Sequence, residues 1–147
     1  MINDVVNGYP FVYQYYFPIK FYLNTSIDRK DIDGAVRFML INDFFLLRDY
    51  EEIQKEYGKA IFIDSYFGVI HSDVVEDFKN IEGFIDADNY ECSKDKSEIG
   101  CIGNLRIFSI VDEKLKDNEC ESYYKMLCFE PRLDCRMISI TFKKLGV

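Results

Sequence analysis

The stretch 123–142 constrains the fold most. Met137-Ile138-Ser139-Ile140-Thr141-Phe142 alternates apolar and hydroxyl side chains after its first residue. A period of two belongs to a strand with one buried face. Tyr123–Phe129 upstream has the same aromatic and apolar character. The two runs flank Glu130-Pro131-Arg132-Leu133-Asp134, so the spacing predicts a β-hairpin with a longer loop.

Other segments alternate between strand and helix periods. Residues 9–23 are rich in Tyr and Phe and read as one broken strand or two short ones. Pro18 cannot donate to a ladder, so this piece should lie at a sheet edge or break there. In 28–48 the period changes: Ile32, Ala35, Val36, Met39 and Leu40 form one helical stripe. Asp28, Asp31 and Asp33 sit where a helix dipole favours negative charge. Asp49 and Glu52 have capping-box spacing and predict a second helix ending near Gly58. Residues 59–71 read as strand, with a break near Asp64-Ser65. Ser72-Asp73 opens a third helical pattern, with Glu76 as box partner and Val74, Val75, Phe78 and Ile81 on its apolar face. Residues 86–104 are polar and read as a long loop, the segment best suited to function. Leu105–Val111 is a further strand, and 112–121 a charged turn or short helix. The 147 residues suit one domain. The expectation is an α+β single domain over 1–147, with a mostly antiparallel sheet and about three helices on one face.

Charge and cysteine usage narrow the function classes. The net charge is −8, opposite in sign to the footprint of a nucleic-acid binder or of a protein drawn to an anionic membrane. No apolar run is long enough to span a bilayer, and no secretory leader pattern opens the chain. Cysteines stand at 92, 101, 120, 128 and 135, an odd number without CxxC spacing. That argues against a zinc ribbon or a redox pair and for a reducing cytoplasm. Cys128 lies in an apolar run, where a free thiol acts as a small hydrophobe.

Residue patterns that carry reaction chemistry are sparse. His71 is the only histidine. Ile70-His71-Ser72-Asp73 contains triad residue types, but adjacent strand residues point to opposite faces. Neither Asp31-Ile32-Asp33-Gly34 nor Asp86-Ala87-Asp88-Asn89 fits a calcium loop, because the glycine and terminal glutamate fall out of place. Phosphate-binding glycine loops and the GxSxG elbow are missing. The sequence therefore predicts a non-enzymatic protein with no metal and no cofactor.

One feature survives. Residues 71–98 carry nine acids against three lysines, which is most of the net charge. Asp73, Glu76, Asp77, Asp86, Asp88 and Glu91, with Tyr90 among them, are the candidate partner-binding residues. A field of this sign steers a basic partner, and Tyr is enriched in binding hot spots. In size, acidity and aromatic-rich α+β character the chain resembles the small, acidic, cytoplasmic immunity proteins that neutralise bacterial toxins. That resemblance implies a tight one-to-one complex with a cognate toxin domain, basic as a nuclease is, which blocks its active site or an adjacent surface. Two other classes remain open: a small ligand-binding or enzymatic domain with an aromatic-lined pocket, and a subunit of a larger assembly.

Overall fold

The computed structural model describes residues 19–41, 66–90, 97–129 and 137–146. Its elements are β1 (Ile19–Tyr22), α1 (Arg29–Ile41), β2 (Tyr66–His71), α2 (Val75–Lys79), β3 (Phe84–Asp86), β4 (Glu98–Ile102), β5 (Leu105–Ile110), β6 (Tyr123–Phe129) and β7 (Met137–Lys143). The seven strands form one sheet in the order β1-β7-β6-β2-β5-β4-β3.

The β6–β7 hairpin is present, paired from Tyr123↔Lys143 to Phe129↔Met137. β1, Ile19–Tyr22, is an edge strand, one of the two outcomes that Pro18 allows. The rest of 9–23 lies outside the described residues. The sheet is mixed rather than simply antiparallel: β2 runs parallel to β5, and β1 parallel to β7. Those pairings join segments far apart in sequence, so no local turn signal announces them. Two helices, not three, stand among the described residues. The helix expected at 49–57 lies outside them.

The loop expected over 86–104 is corrected in part. Phe84–Asp86 and Glu98–Ile102 are strands that pair with each other, and β4 also pairs with β5. Glycine, cysteine and glutamate disguised β4 as loop. Its Gly100 is there for space: a Cβ would collide with the Ile85 carbonyl oxygen and the Phe84 ring.

β2 is central and buried at all six positions, which explains its near-continuous apolar run. On one face Ile70, Ile107, Met126, Ile138, Ile140 and Phe142 meet Ile32, Ala35 and Met39 of α1 and Phe78 of α2. Phe78 and Phe142 pack edge to face at 5.6 Å between centroids. α1 starts with a reciprocal capping box: Asp28 Oδ1 accepts the Asp31 amide at 3.1 Å, and Asp31 Oδ2 accepts the Asp28 amide at 2.9 Å. Phe67, Val69, Phe108 and Leu127 on the second face are buried too. So are Glu98 and Arg106, which form a two-pronged ion pair at 2.6 and 2.8 Å.

Candidate functional site

Strand directions bring one set of loops to a single end of the sheet. β2, β3, β5 and β7 all point their carboxyl ends there, and β6 starts there. The end is therefore built from 72–74 after β2, 86–90 at and beyond β3, 111–122 between β5 and β6, and 144–146 after β7.

The exits share one local device. His71 Nδ1 accepts the Asp73 amide at 3.0 Å, Asp86 Oδ1 the Asp88 amide at 3.0 Å, and Asp112 Oδ1 the Lys114 amide at 2.9 Å. Each side chain thereby satisfies a free N–H at the start of a 3-10 turn. Asp117 makes the same bond to the Glu119 amide, at 3.3 Å. Part of the acidity at this end is thus turn chemistry. His71 likewise acts as a cap: it is 3% exposed, and its Nε2 is buried without a hydrogen-bond partner. An Nδ1 that accepts an amide implies the neutral Nε2–H tautomer.

The loops are tied to one another. Tyr124 donates to Asp73 Oδ2 at 2.8 Å, and Lys116 Nζ lies 3.7 Å from the same oxygen and 3.5 Å from Glu113. The tyrosine hydrogen bond is the main reason that the Asp73 carboxyl is held below the usual carboxylate range. Burial, followed by that bond, pushes the Tyr124 phenol up to about 12.

The candidate residues meet different fates. Asp73, Glu76 and Asp88 are exposed, and Asp86 is half-buried. Asp77 is a correction: it is 4% exposed, and its carboxylate accepts the Leu145 amide at 2.8 Å. It anchors the chain after β7 and cannot offer its charge to a partner. Tyr90 is half-buried and donates to Glu98 at 2.7 Å, so it braces β4 more than it projects. Glu91 lies outside the described residues.

The residues that sequence reasoning missed are in 112–121. That segment holds five acids against two lysines and was legible as a second acidic stretch. The pairing of β2 with β5 on one side and with β6 on the other sets it beside Asp73. The carboxylates of Asp88, Glu119 and Glu121 have no hydrogen-bond or ion-pair partner among the described residues. Exposed apolar side chains share this end: Val111 (78%) after β5, Tyr22 (71%) at the end of β1, and Leu145 (44%) after β7.

Among the described residues no His/Cys/Asp/Glu group could hold a metal ion, and no helix is long and apolar enough to cross a membrane. Cys101, Cys120 and Cys128 are free thiols. No protein-family model matches the chain, and no curated protein or solved structure matches it either.

Proposed function

We propose that this chain is a protein-binding module that presents the acidic end of its sheet to a basic surface on one partner, as an immunity protein covers a toxin domain. The observation that carries the reading is that uncommitted carboxylates (Asp88, Glu119, Glu121) and exposed apolar side chains (Val111, Tyr22, Leu145) are spread along one end of the sheet, from Tyr22 at the β1 edge to Asp88 beyond β3. Exposed apolar side chains and charges on one surface are both features of protein interfaces. Hydrogen-bonded turns hold the loops in place beforehand, which lowers the ordering cost of association. The free thiols support a reducing, cytoplasmic setting.

Affinity capture of the tagged chain from its own cells, at low and then high salt, tests this. One stoichiometric basic protein that is released as salt rises is the expected result. Absence of a partner at either salt, or a partner held equally at both, rejects the reading.

A further inference from the structure

At the β1 edge a cavity of about 280 Å³ opens between the sheet and α1. Phe21 and Phe38, packed edge to face at 5.1 Å, line it together with Ile138, Ile140 and Ala35. It arises because β1 extends the sheet, Phe21 lying beside Ile140 in register, while Gly34 leaves α1 bare at the mouth. A Cβ on Gly34 would meet nothing within 4 Å.

The polar groups at the mouth are Lys30 and Asp31. Asp31 is committed to the capping box with Asp28. The neighbouring charges are committed as well: Arg29 binds Asp33 at 2.9 Å and the Glu82 carbonyl at 3.1 Å. Of the charged side chains in this first turn, Lys30 is the one without an ion pair or hydrogen bond among the described residues. The site is therefore an apolar chamber with one unspent ammonium at its rim.

We propose that this cavity binds a small amphipathic carboxylate, with its hydrocarbon part against the wall formed by Phe21, Phe38 and Ile140 and its carboxylate on Lys30. The volume falls just below the roughly 300 Å³ at which drug-sized pockets begin, so it suits a short-chain ligand. An apolar wall supplies affinity and one charged group fixes orientation. The proposal is independent of the acidic end, from which it differs in place and in ligand.

The test is titration of the full chain with octanoate and with octanol, read by calorimetry and by amide chemical shifts. Octanoate is expected to bind with shifts centred on α1 and β1, and octanol about tenfold more weakly, the cost of one charge-assisted hydrogen bond. Lys30→Met should remove that difference while keeping the aliphatic stem. Gly34→Leu should block both ligands and remain folded, since the position is open and helical. Absence of binding, equal affinity of the two ligands for the unaltered chain, or unchanged binding by Gly34→Leu would each overturn the proposal. A concentration-dependent dimer that Gly34→Leu disrupts, without octanoate binding, would overturn it in favour of a second copy of the chain at this site.

Discussion

Tyr124 donates its phenolic hydrogen to Asp73 across 51 residues of sequence, at 2.8 Å. The bond couples the exit of β2 to the entry of β6, so it stabilises both the fold and the acidic end. Tyr124→Phe is expected to cost about 1 kcal/mol, below the usual range for a bond to a charged group because Asp73 is partly solvated. Urea midpoints of the two proteins would measure it.

The same pair sets two pH limits. The Asp73 carboxyl is lowered on folding, so its contribution is complete above the ordinary value of 3.8 and disappears as pH falls through the lower folded value. The Tyr124 phenol is raised from 10 to about 12, so its contribution is complete below pH 10 and disappears as pH rises towards 12. Tyr124→Phe should therefore flatten the stability profile at both extremes, as thermal midpoints across pH would show.

The buried Glu98–Arg106 pair should respond asymmetrically. Arg106→Met takes the guanidinium from the buried Glu98 carboxylate, which keeps its hydrogen bond from Tyr90, and should cost about 3–5 kcal/mol. Combining it with Glu98→Leu should recover much of that loss, since a paired buried charge adds little over a packed apolar pair. A double-mutant cycle in urea distinguishes the two effects.

Two glycines should behave in opposite ways. Gly34→Ala is expected to stabilise by roughly 0.5–1 kcal/mol, because the site is helical and open. Gly100→Ala is expected to destabilise by about 1–3 kcal/mol, because the added methyl meets the Ile85 backbone and the Phe84 ring. Thermal unfolding of the two variants would show midpoints moving in opposite directions.

Charge reversal at the acidic end should act on association. Asp88→Lys with Glu119→Lys and Glu121→Lys removes carboxylates that hold no turn together, so folding should change little. The association rate with a basic partner should fall by tenfold or more at low salt and converge with the unaltered chain at high salt. Stopped-flow kinetics across ionic strength would read this, and unchanged rates would remove the acidic end from the interface.

Local pattern alone specified the β6–β7 hairpin and the Ile32–Met39 stripe of α1, and it narrowed the strand near Pro18 to an edge or a break. In each, side-chain period or proline geometry acts within a few residues, so neighbours in sequence carry the whole signal. β4 escaped notice because its Gly100 answers to the approach of β3, a requirement imposed by a partner strand. Asp77 was read as a surface charge because sequence could not reveal the Leu145 amide, 68 residues away, that draws its carboxylate inward. The acidic end was half legible: its charge stood in 71–98, but 112–121 joined it through the pairing of β2 with both β5 and β6. Composition and periodicity decide which segments become strands and helices. Long-range strand pairing decides which loops become neighbours, because that choice depends on burying two sheet faces at once.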